Sequence, residues 1–95
     1  MTLLPHTETD AAIAGTDWHR EGDELVLERV FADFAQAMVF AHQVAEAAQA
    51  ADHHPDIHVH GWNHVRLRLA THSEGGITAR DIALATTIDA LQPLG

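Results

Sequence analysis

The sequence predicts an α+β fold, an antiparallel four-stranded sheet with helices packed on one face. Three observations carry that prediction. Apolar residues recur with a period of two over 25–31 and again over 57–69, the pattern of strands with one covered face. From Asp33 to about Ala51 the period lengthens to that of a helix. A second helical pattern follows the glycine-rich stretch Gly75-Gly76. Strands and helices joined by short connections close most economically as an antiparallel sheet with the helices on one side.

In chain order, Thr7 to Gly15 (TETDAAIAG) has the length of one or two helical turns, with acidic residues near its start and Gly15 as a stop. Gly22-Asp23 supplies a turn. In the strand Leu25–Phe31, Leu25, Leu27 and Phe31 share one side and Val26, Glu28 and Val30 the other, with Arg29 interrupting the apolar side. Asp33 is the expected N-cap of the long helix. Phe34, Met38, Ala41, Ala45 and Ala48 form its stripe, widened by Phe40 and Val44, and Phe34 and Met38 are expected in the core. Pro55 disfavours helical geometry at His54, so the helix ends near Asp52 or His53. Ile57 and Val59 then alternate with His58 and His60, and Val65, Leu67 and Leu69 with His64, Arg66 and Arg68, around a His60-Gly61-Trp62-Asn63 hairpin connection. Thr78-Ala79-Arg80-Asp81 has the form of a capping box, aspartate replacing glutamate. Ile82, Ala85 and Ile88 mark the last helix and Pro93 ends it.

At 95 residues the chain is expected to be one domain, 1–95. A chain this short buries only about 60–65% of its unfolded surface. With no cysteine to staple it, oligomerisation is the natural source of further burial. A formal charge of −9, with five arginines and no lysine, argues against nucleic acid and anionic membranes as partners. No apolar run approaches the roughly 20 residues of a membrane span. Met1 to His6 lacks the basic start and apolar stretch of a secretory signal, so a cytoplasmic protein is expected.

The nine histidines are the unusual feature, since an unperturbed imidazole titrates near physiological pH. Asp52-His53-His54-Pro55 displays two imidazoles at a stiffened helix-to-strand corner, and Thr71-His72-Ser73 lies at the end of a strand beside a glycine-rich turn. In an antiparallel hairpin the start of the strand at Ile57 lies opposite the end of its partner near Thr71, so both clusters come to one end of the sheet. Imidazoles around one cleft suit general acid–base catalysis of a small neutral substrate. His58, His60 and His64 share a hairpin face, and imidazole suits zinc, copper and nickel, but spacing reveals no carboxylate partner and no metal is assigned there. His6, His19 and His42 follow no pattern and are expected in solvent. Asp81 has two readings, a helix cap with Thr78 or a carboxylate orienting His72 or another site imidazole. Trp18 and Trp62 either line a pocket or fill the core.

From Trp18 to Leu91 the chain resembles the pterin-4a-carbinolamine dehydratase family. The resemblance rests on Phe31-Ala32-Asp33-Phe34, Ala37, Phe40, Val44-Ala45, Asp52-His53-His54-Pro55, Trp62-Asn63-His64-Val65, Thr71-His72, Gly76-Ile77-Thr78-Ala79-Arg80-Asp81 and Leu84-Ala85. It implies dehydration of 4a-hydroxytetrahydropterin to quinonoid dihydropterin, which recycles the pterin of aromatic amino acid hydroxylases, with no metal or cofactor. The site residues it implies are His53, His54 and His72, with Asp81 as acidic companion and Asp52, Thr71 and Ser73 flanking the pterin. His54 and His72 would transfer protons and His53 would bind. A homodimer or homotetramer is implied, and because family members also serve as dimerisation cofactors of a transcription factor, a binding or assembly partner is the alternative function. Two departures stand out. One residue more than in vertebrate members lies between Pro55 and Trp62, placed at Gly61 in the turn, and Arg29 stands where an apolar strand residue is common.

Overall fold

A computed structural model describes residues 2–92. Its elements are α1 (His6–Ile13), β1 (His19–Glu21), β2 (Glu24–Val30), α2 (Phe34–Ala51), β3 (Asp56–His60), β4 (His64–Leu69), a 3₁₀ turn (His72–Glu74) and α3 (Ala79–Asp89). The strands form one antiparallel sheet in the order β1-β2-β4-β3. β1, a three-residue edge strand, comes from a segment in which no apolar alternation pointed to it. Pro93, expected to end α3, lies outside the described residues.

The core is a sandwich of the sheet against the three helices. Leu25 and Leu27 of β2 and Val65, Leu67 and Leu69 of β4 are fully buried against Ile13 of α1, Ala37, Phe40, Val44 and Ala48 of α2, and Leu84, Ala85 and Ile88 of α3. Each such leucine contributes about 1.5–3 kcal/mol of burial. Arg29 lies on this covered side. Its guanidinium sits 5.2 Å from the centre of the Phe40 ring. It also reaches Asp89 Oδ1 at 3.4 Å, the oxygen to which the buried Trp18 donates from Nε1 at 3.0 Å. A cation–π contact and an ion pair thus accommodate a charge at the margin of the core. Of the two tryptophans, Trp18 is core and Trp62 is 62% exposed on the β3–β4 turn.

The long helix starts as expected, Asp33 accepting from the Gln36 N–H at 2.8 Å, a cap worth about 1 kcal/mol. Its buried stripe differs from the expected one. Ala37, Phe40, Ala41, Val44 and Ala48 face the sheet, whereas Ala45 is exposed and Phe34 and Met38 are 55% and 44% exposed. The helix is apolar over more than half its circumference, so periodicity alone admits two overlapping stripes. Packing against the leucines selected one and left the other uncovered.

In the β3–β4 hairpin, pairing runs unbroken from Asp56↔Arg68 to His60↔His64 around Gly61-Trp62-Asn63. Gly61 and Trp62 both have positive φ, 55° and 60°, which lets the turn reverse within three residues. Ile57 and Val59 therefore stay on the face of Leu67 and Val65, and the strand register is undisturbed.

Candidate active site

The site is built where α2 ends. Pro55 prevents the helix from continuing, and Asp52 turns the chain in the left-handed region with φ 50°. The His53 N–H then reaches back to the Ala48 carbonyl at 3.1 Å, a Schellman-type exit. Arg80 of α3 donates to the Asp52 carbonyl at 2.6 Å and fastens this exit to the next helix. Continuing the β3–β4 register by three residues sets His53 across from Thr71, which is the convergence expected from the sequence.

Hydrogen bonds realise that juxtaposition. His53 is 8% exposed, and its Nε2 lies 2.5 Å from Oδ1 of the fully buried Asp81. The other oxygen, Oδ2, accepts from the Thr78 N–H at 2.9 Å and from the Thr71 hydroxyl at 2.8 Å. The proton order follows. Since Thr71 donates to Asp81, the 2.8 Å contact between the two threonine hydroxyls is a donation from Thr78 to Thr71. Thr78 Oγ1 in turn accepts from the Arg80 N–H at 3.3 Å. The two readings of Asp81 are therefore both true on different oxygens: Oδ2 caps α3, and Oδ1 orients an imidazole. That imidazole is His53, not His72.

The remaining candidates surround this buried knot. His54 is exposed and its Nε2–H donates to Gln49 Oε1 at 3.1 Å, which leaves Nδ1 as the nitrogen able to accept a proton. His72 and Ser73 are exposed in the 3₁₀ turn, which hangs from the Thr71 carbonyl through the Glu74 and Gly75 N–H groups at 3.0 Å each. Asp52 is exposed and contributes its backbone as the helix cap. Gln49, Arg80 and the Thr78 hydroxyl are participants that sequence reading did not place in the site. Thr78 and Arg80 carried a capping signal only. Gln49 carried none, because its approach to His54 depends on the left-handed turn at Asp52.

Among the described residues, the histidine–acid group close enough to share a metal ion is Glu28, His60 and His64, on the opposite side of the sheet. His6, His19 and His42 are exposed and lie beside Asp23, Glu21 and Glu46 at 3.0, 2.7 and 2.7 Å.

A sequence model of the family described as Pterin 4 alpha carbinolamine dehydratase matches residues 2–91. The chain belongs to the pterin-4-alpha-carbinolamine dehydratase family. A relative from Mycobacteroides abscessus, provisionally named as such a dehydratase, is 47% identical over 90 residues, covering 94% of this chain and 95% of the relative. One from Gloeobacter violaceus, also provisionally named so, is 49% identical over 93 residues, covering 93% and 100%. A crystal structure of a transcriptional coactivator/pterin dehydratase from Brucella melitensis superposes with a TM-score of 0.86 at 33% identity, over 94% of this chain and 97% of that one. A pterin dehydratase-like protein identified as a RuBisCO assembly factor in the alpha-carboxysome shares the fold, with a TM-score of 0.67 at 23% identity over 80% and 89% of the two chains.

Proposed function

We propose that this member of the pterin-4-alpha-carbinolamine dehydratase family is an active hydro-lyase, a cytoplasmic 4a-hydroxytetrahydrobiopterin dehydratase that converts 4a-hydroxytetrahydropterin to quinonoid dihydropterin and water. The observation that carries the reading is the buried His53–Asp81 bond and its continuation through Thr71, the residue before His72. It ties the His53-His54 corner to the Thr71-His72 corner in one fixed geometry. The reaction needs a proton delivered to the leaving 4a-hydroxyl and another removed from N5. His54 and His72, both exposed, are assigned the proton transfers. His53, with Nε2 committed to Asp81, is assigned to binding through Nδ1. Asp52, Thr71 and Ser73 flank the pterin, and no cofactor or metal enters the reaction.

The test is the dehydration rate of freshly generated 4a-hydroxytetrahydropterin, followed by absorbance. Wild type is expected to turn over well above the buffer rate, and His54→Ala and His72→Ala to lose about 10²-fold or more. His60→Ala, on the opposite side of the sheet, is expected to match wild type. Wild-type turnover no faster than buffer would instead support the reading as a dehydratase-like binding or assembly protein.

Self-association belongs to the same proposal. Phe34, Met38 and Val39 on the outer side of α2 are 55%, 44% and 36% exposed, a patch suited to a second copy in a homodimer or homotetramer. Met38→Glu is expected to lower the mass seen in sedimentation equilibrium, and an unchanged mass would remove α2 from the interface.

A further inference from the structure

The face of the sheet away from the helices carries a second cluster. Three adjacent strands contribute: β2 with Glu28, β4 with His64 and Arg66, and β3 with His58 and His60. The register places His60 directly opposite His64, His64 opposite Val30, and Arg66 between Glu28 and His58. Both imidazoles aim at the same carboxylate oxygen. Glu28 Oε1 lies 2.7 Å from His60 Nε2 and 3.4 Å from His64 Nδ1, while Oε2 accepts from Arg66 Nε at 2.8 Å.

We propose that Glu28, His60 and His64 form a metal-binding site for one divalent transition-metal ion of the zinc class. One ligand atom from each of the three residues lies within 4.8 Å of the others. Tetrahedral zinc with bonds of about 2.0–2.1 Å needs ligand atoms about 3.3–3.4 Å apart. The Glu28–His64 contact already has that separation, and the 2.7 Å Glu28–His60 contact must open by roughly half an ångström to reach it. Two imidazoles and one carboxylate suit zinc, nickel and copper better than magnesium or calcium, which take all-oxygen sites.

The surroundings favour a defined site over a loose ion-pair network. All three ligands stand on hydrogen-bonded strands, and their side chains are only 31–38% exposed. The His64 ring packs against the turn so closely that a Cβ at Gly61 would lie 3.3 Å from its Cδ2, so the glycine makes room for it. Arg66 opposes a cation by its charge, but its bond to Oε2 orients Glu28 and leaves Oε1 for the ion. The chain's net charge of −9 favours cation approach. His58, although its ring centre is 5.1 Å from that of His60, is not part of the group. A bound ion would clip the edge strand β3 to β2 across β4, with its fourth position open to solvent.

Equilibrium dialysis of untagged, chelator-treated protein against zinc chloride at neutral pH tests this, with circular dichroism confirming that each variant is folded. One saturable zinc per chain is expected in wild type, in His58→Ala and in His6→Ala. Glu28→Gln, His60→Ala and His64→Ala should each weaken that site by at least tenfold. Zinc should also raise the melting temperature of wild type and not that of the near-isosteric Glu28→Gln. The site is refuted if wild type shows no saturable binding, if His60→Ala retains it, or if His58→Ala loses as much as His60→Ala.

Discussion

On one face of the sheet a carboxylate and an imidazole are sealed in the core; on the other, the same two kinds of side chain lie half in solvent. Asp81 is fully buried, and each of its oxygens has assigned donors from His53, Thr71 and the Thr78 N–H. Glu28 is 32% exposed, and His60, His64 and Arg66 share its two oxygens. Burial pushes the Glu28 carboxyl up, but hydrogen bonds from Arg66 and His60 outweigh it and hold the group below the usual carboxylate value. The difference is in what each arrangement commits. Removing one partner of a buried pair leaves an uncompensated polar group in low dielectric. At the half-exposed cluster water replaces a lost partner, so losing one costs less.

The largest expected effect tests the buried side. Asp81→Ala removes a helix cap and leaves the His53 Nε2, the Thr78 N–H and the Thr71 hydroxyl without their common acceptor. Urea unfolding is expected to show a loss of about 3–5 kcal/mol. A loss below about 1 kcal/mol would place water within reach of Asp81 and erase the contrast between the two faces. Thr78→Val sharpens the same point, because it keeps the volume of a fully buried side chain while deleting its hydroxyl. The cap to Arg80 and the donation to Thr71 both go, with an expected cost of about 1–2 kcal/mol.

How much of this was legible in the sequence divides along the same line. Strands with one covered face announce themselves: Val65, Leu67 and Leu69 alternate with arginines, Leu25 and Leu27 recur two apart, and all five are buried. The caps Asp33 and Thr78 were legible because capping depends on neighbours within one turn. The approach of the His53-His54 corner to Thr71 was legible through Pro55 and hairpin register, both local facts. What failed was anything settled by packing between elements. Phe34 and Met38 satisfied the helical period yet lie outside, because the sheet could cover only one of two apolar stripes. Glu28 was invisible as a partner of His60 and His64, being 32 and 36 positions away and adjacent only because β2 pairs with β4. For the same reason Asp81 offered a choice between cap and orienter, when its two oxygens do both.

On the open side, Glu28→Gln is expected to cost no more than about 1 kcal/mol without metal, and less still as salt is raised. A salt-independent loss of about 3 kcal/mol or more would mean that the open cluster behaves like the buried one.

The last effect has the opposite sign, and it separates burial from partnership. The Thr9 hydroxyl of α1 is as deeply buried as Asp81, but it has no hydrogen-bond partner among the described residues. Burial of an unpaired hydroxyl carries a desolvation cost that no bond returns. Thr9→Val fills nearly the same volume without the oxygen, and valine and threonine have similar helix propensities. The variant is therefore expected to be more stable than wild type, by about 0.5–1.5 kcal/mol in urea unfolding. Thr78→Val removes an equally buried hydroxyl and is expected to lose stability instead. If both substitutions destabilised alike, packing at the methyl groups would govern them and the hydrogen-bond network around Asp81 would carry little of the difference. Opposite signs would show that the partners of the Thr78 hydroxyl, rather than the burial of a threonine, hold the His53–Asp81 corner together.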